Sequence, residues 1–159
     1  MNRLSQKIAA AVDARVETGP GLILAELANH RLRLHVATGG PVGLALDCLE
    51  YQAIDHHPLS HSELKAWGDR LALKLTYLME PLIVLEVDAE GGQAELRSEA
   101  PTQREGRRTY YELRLNRSAA LKLGRICYDE STRKRENIPC QLTREALERL
   151  ADDLAASFD

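Results

Sequence analysis

The stretch "HRLRLHVATGGPVG", His30–Gly43, decides the fold. Leu32, Leu34 and Val36 alternate with Arg31, Arg33 and His35, the period-two pattern of a strand with one face buried and one in water. "TGGP" then supplies glycine and proline where a chain reverses, and Asn29-His30 supplies a turn on the other side. Short turns join antiparallel neighbours, because a parallel pair needs a long crossover. Residues 22–54 therefore read as a three-stranded antiparallel meander. The glycines of "ATGGPVG" make no phosphate cradle, since neither a GK[ST] ending nor a helix N-terminus follows them.

Outward from the meander, each flank begins with a helix. Towards the N-terminus, Leu4, Ile8, Ala11, Val12 and Val16 fall near one face of a helix spanning Leu4 to Val16, which "TGPG" ends. Towards the C-terminus, Ser60 and Glu63 have the spacing of a capping box. Leu64, Trp67, Leu71, Leu75 and Leu78 follow as one apolar stripe, and Pro81 breaks the helix. That stripe is expected against the sheet or at a dimer seam.

Five further strand-like runs come next: "LIVLEVDA", "QAELRSEA" after the turn at Gly91-Gly92, "RRTYYELRLNR", "LKLGRICY" and "NIPCQL". In the third, Tyr111, Leu113 and Leu115 take one face and Tyr110, Glu112 and Arg114 the other. Pro139 confines the last run to an edge. Thr143 caps a final helix with Leu147, Leu150, Ala151 and Leu154 inward. Strands in blocks between single helices predict an α+β fold: one domain over residues 1–159, a mostly antiparallel sheet of about seven to eight strands, and N-terminal, central and C-terminal helices packed on it.

Composition narrows the function classes. At 159 residues the chain is long enough to bury a core without staples. Only 4% of residues are aromatic, which weighs against a stacking platform for single-stranded nucleic acid. The absence of a long apolar run or a signal-peptide pattern gives the expectation of a cytoplasmic protein that does not enter a membrane. Cys48, Cys127 and Cys140 match neither a disulfide framework nor a zinc finger. Folding the charged tip "DESTRKRE" about Arg133-Lys134 does set Cys127 opposite Cys140, within reach of a redox pair.

Two clusters carry chemistry. In "IDHHPLSHSEL" a helix starting at Pro58 would stack His57 and His61 one turn apart, with Asp55 or His56 completing a metal site. If Ser60 is the cap instead, His57 lies outside the helix and the cluster is its polar mouth. The second cluster is a charge imbalance. Between Arg104 and Arg144 eleven Lys or Arg face five acids, in a chain whose net charge is −3. Arg107, Arg108, Arg114, Arg125, Arg133, Lys134 and Arg135, with Tyr110 beside them, would bind an anion if they shared a face. No recognition motif accompanies them, so nucleic acid ranks behind protein as the expected partner.

The order of one helix, three strands, a helix, strands and a helix over Leu4 to Ala100 resembles the small α/β fold of type III secretion chaperones. That resemblance, of layout alone, implies an acidic homodimer that holds an extended client segment without catalysis. The strands from Arg107 to Leu142 depart from the layout. Together these readings lean away from an enzyme and expect no cofactor. They favour a homodimeric interaction or chaperone-like domain; anion binding and a metal site at Asp55, His56, His57 and His61 are the alternatives.

Overall fold

The structure, a computed structural model, describes residues 3–40, 42–78, 80–88 and 90–158. Their element order is α1 (Leu4–Ala14), β1 (Gly21–Leu27), β2 (His30–Gly39), β3 (Gly43–Ala53), α2 (His61–Lys74), β4 (Leu82–Asp88), β5 (Gln93–Ser98), β6 (Thr102–Arg104), β7 (Arg107–Asn116), β8 (Ala120–Asp129), β9 (Lys134–Ile138), β10 (Cys140–Thr143) and α3 (Arg144–Ala155), with a 3-10 turn at Ala156–Phe158. This is the expected α+β fold with helices at the start, middle and end. Every strand pairing is antiparallel.

The main path of the sheet runs β1-β2-β3-β8-β7-β5-β4. Among the described residues the sheet carries ten strands, with β6, β9 and β10 off this path, where eight runs are visible in the sequence. The two extra strands arise at prolines. Pro101 separates β5 from β6, which both pair with β7, and Pro139 separates β9 from β10. A proline has no amide to donate, so the ladder stops there and the chain changes direction or partner.

At Pro139 the partner changes. β3 meets β8 only over Leu49–Gln52, and beyond that the two strands part. Into the fork runs one extended segment: β9 pairs with β8, and β10 pairs with β3 over Gly43–Leu46. A bulge at Asp47 sits where β3 passes from one partner to the other, and a second at Ala37 on β2 restores the register.

The helices cover one face of the sheet. Leu4, Ile8 and Val12 of α1, the α2 stripe of Leu64, Trp67, Leu71 and Leu75, and Leu147, Leu150 and Leu154 of α3 join one core cluster with Leu32, Leu34, Leu49, Leu113 and Leu121. The α2 stripe therefore packs on the sheet and is unavailable as a dimer seam. α1 ends two residues earlier than its apolar spacing suggests, leaving Val16 93% exposed. Thr143 Oγ1 accepts the Ala146 amide at 3.1 Å and starts α3 as expected. Of the turn at residues 37–43, Gly40 donates to the Gly43 carbonyl at 3.0 Å, while Pro41 lies outside the described residues, as does Ala89 at the end of "LIVLEVDA".

The Cys127–Cys140 expectation fails on register. The Asp129 carboxylate captures the Ser131 amide at 2.9 Å and the Ser131 hydroxyl at 2.6 Å, and the Arg133 amide returns to the Asp129 carbonyl. The tip thus closes between Ser131 and Thr132, two residues before the assumed centre. Cys127 consequently faces Glu136, Cys140 faces Leu46 of β3, and all three cysteines are free.

Candidate functional site

The face of the sheet away from the helices is open, and its residue types follow from strand alternation. On β7, Tyr110, Glu112 and Arg114 take this face, as their positions in the sequence require. Arg135 pairs across from Tyr128 and reaches the same side. At its centre Glu112, only 8% exposed, is ringed by guanidiniums: Arg114 at 2.9 Å, Arg97 at 3.7 Å and Arg135 in contact. Burial alone would raise the Glu112 carboxyl, but Arg135 and Arg114 hold it below the usual carboxylate range. Arg97 stacks over Tyr110 at 5.1 Å.

The expected basic patch is thus divided and largely neutralised. Arg108 is tied to Glu130 at 2.8 Å and Arg107 to Asp129 at 3.9 Å. Arg125 points to the other side of the sheet, where it is 8% exposed, 3.5 Å from Glu80, and over the Tyr111 ring. Glu80 also accepts from Ser98 at 2.6 Å and from Thr102. Among the described residues Arg133 and Lys134 carry no ion pair, but they lie at the hairpin tip, with Arg133 at φ +58°. Arg108, Arg114 and Arg135 share the outer face with Tyr110, while Arg107 and Arg125 do not.

The histidine loop is a helix mouth. Ser60 Oγ accepts the Glu63 amide at 3.2 Å and Glu63 returns to the Ser60 amide at 3.1 Å, so α2 begins at His61 and His57 lies outside it. His57 Nε2 lies 2.8 Å from Glu63 Oε2. His56 stacks between His57 and Phe158, with ring centroids at 4.3 and 4.5 Å. Asp55 is held at φ +65° in the turn before the loop. Asp55, His56, His57 and His61 do not converge as ligands. Among the described residues, the three-ligand set within 4.8 Å of one another is His35, Cys48 and Glu50.

Sequence reading passed over that set because its members lie on two strands. The signal was nonetheless present. Closing the β2–β3 hairpin over Gly40–Gly43, with Gly39 opposite Leu44, sets His35 opposite Cys48, and Glu50 follows two residues on, on the same face.

The other notable surface is the free edge of β4. Leu85 is 49% exposed and Ile83 36%, and Leu73 on the adjacent α2 is 79% exposed. With Leu82, Val84, Val87, Ala72 and the Lys65–Asp69 pair they line a groove between strand and helix. The opposite edge, β1, exposes Leu22 and Leu24. No helix among the described residues is long and apolar enough to cross a membrane. No protein-family model, curated protein or solved structure matches the chain, so its functional reading rests on these surfaces.

Proposed function

We propose that this chain is a non-enzymatic protein-binding domain that adds an extended segment to the free edge of β4, first of all the β4 edge of a second copy. The observation that carries the reading is the coincidence of an unpaired strand edge with Leu73, Ile83 and Leu85, all exposed along it. An edge strand offers a row of free amides and carbonyls, and proteins that do not use such an edge cover it or line it with charge. β4 has a bulge at Leu85 and an acid at Glu86, yet keeps its large aliphatic side chains in water. Strand addition supplies main-chain hydrogen bonds, and the groove against α2 supplies side-chain pockets. Burying one leucine contributes ~1.5–3 kcal/mol, so a symmetric interface that covers three aliphatic side chains from each copy offsets a substantial part of the cost of association.

The order of elements from α1 to β5 supports the reading through its resemblance to the secretion chaperones, a resemblance that implies pairing and the holding of an extended client. The anion-binding alternative loses support from the ion pairs around Glu112, Glu130 and Asp129, which already occupy most of its cations.

Hydrogen exchange tests the assignment. The β4 amides, Leu82–Asp88, become more protected as protein concentration rises, while those of β1 do not. Protection of β4 that is independent of concentration and of any added partner contradicts it.

A further inference from the structure

We propose that His35, Cys48 and Glu50 form a binding site for a divalent transition-metal ion of the zinc class on the open face of the sheet. His35 and Cys48 are directly opposed across β2 and β3, and Glu50 stands two residues beyond Cys48, so all three project from one face. Their ligand atoms all lie within 4.8 Å of one another, and His35 Nε2 already touches the Glu50 carboxylate. A tetrahedral zinc holds its sulfur and nitrogen ligands about 3.5 Å apart, so side-chain adjustments on the order of 1 Å close the site without moving the strands.

The chemistry of the set selects the ion. A thiolate with an imidazole suits zinc and its late neighbours and disfavours magnesium and calcium, which want oxygen throughout. The thiolate and carboxylate together cancel the charge of a divalent ion. All three residues are half-buried and accessible to an ion, with Cys48 paired to β2 alone and Glu50 held between β2 and β8. The bulges at Ala37 and Asp47 both lie on the turn side of the pair, and together they leave Cys48 opposite His35. Lys122 and Arg33 stand across from Glu50, and among the described residues the ion-pair partner of the carboxylate is His35, its fellow ligand. Cys48 also borders the shallow trough lined by Lys122, Gly124, Arg114 and Arg135, from which water or a small anion supplies the fourth ligand.

Cobalt(II) titration of tag-free protein tests the site, followed by displacement with zinc(II). The expected result is one saturable cobalt per chain with a near-ultraviolet thiolate-to-cobalt absorption band, abolished by zinc. Cys48→Ser, His35→Gln and Glu50→Gln each weaken binding by at least about tenfold, and His57→Ala leaves it unchanged. Circular dichroism confirms that the variants fold, and the band in the unmodified protein reports sulfur ligation independently of them. Absence of that band, or binding that survives Cys48→Ser and is lost in His57→Ala, overturns the proposal.

Discussion

The indole N–H of Trp67 donates to the hydroxyl of Ser157 across 2.9 Å, joining α2 to the C-terminal turn with both residues sealed from solvent. Ser157 passes the bond on to the Leu154 carbonyl at 2.7 Å, and Phe158 stacks on the indole at 4.5 Å. A buried donor that loses its partner costs ~1–3 kcal/mol. Ser157→Ala is therefore expected to lower the unfolding free energy by about that amount in urea titrations and to shift the emission of this single tryptophan.

Glu80 gives the fold an acid limit. Burial alone would raise its carboxyl, but the hydroxyls of Ser98 and Thr102 and the Arg125 guanidinium hold it below the usual value. A carboxylate depressed in the folded state stabilises above its unfolded pKa, and that contribution is lost as pH falls through the folded value. Removing one member of a buried pair strands the other, at about 3–5 kcal/mol. Glu80→Ala is expected to destabilise the protein at neutral pH, with the difference from the unmodified chain shrinking in acid. Equal destabilisation at every pH would contradict the assignment.

At the mouth of α2, the hydrogen bonds of Glu63 with His57 and with the Ser60 amide and hydroxyl bring its carboxyl down to about 2. His57→Ala and Ser60→Ala are each expected to raise it, His57→Ala more, in carboxyl-resolved NMR titrations.

The cysteines differ in access. Cys48 is half-buried on the open face, whereas Cys127 and Cys140 are buried and burial pushes the Cys140 thiol up to about 11 despite Arg125 nearby. Mass spectrometry after brief alkylation at neutral pH is expected to find Cys48 labelled first and Cys140 only after unfolding. Oxidation of the folded protein forms no Cys127–Cys140 bridge, because Cys127 faces Glu136.

How much of this was readable in the chain depends on the distance over which each feature is set. The Leu32-Leu34-Val36 alternation and the stripe that starts at Leu64 are local patterns, and the strand forms where its pattern indicates, but α2 ends at Lys74, so Leu78 joins the core from beyond the helix. The Ser60–Glu63 cap is also local, and it decides the histidine loop. The fork at Pro139 is not local: nothing near Cys140 says that its partner is Leu46, because β3 and β8 must first part to admit it. The same holds for Arg125, one cation among many in the sequence, whose strand parity turns it towards Glu80. The Cys127–Cys140 pairing failed over two residues of turn, set by the Asp129 carboxylate.

The most direct test of the β4 interface is the solution mass of the tag-free protein and of Leu85→Lys, measured by light scattering over a range of concentrations. The account predicts a dimer, twice the 17.7 kDa chain mass, with a dissociation constant raised at least about tenfold by the charge at Leu85, a change of ~1.4 kcal/mol. An unmodified chain that stays monomeric at every concentration, or a dimer indifferent to Leu85→Lys, would contradict it.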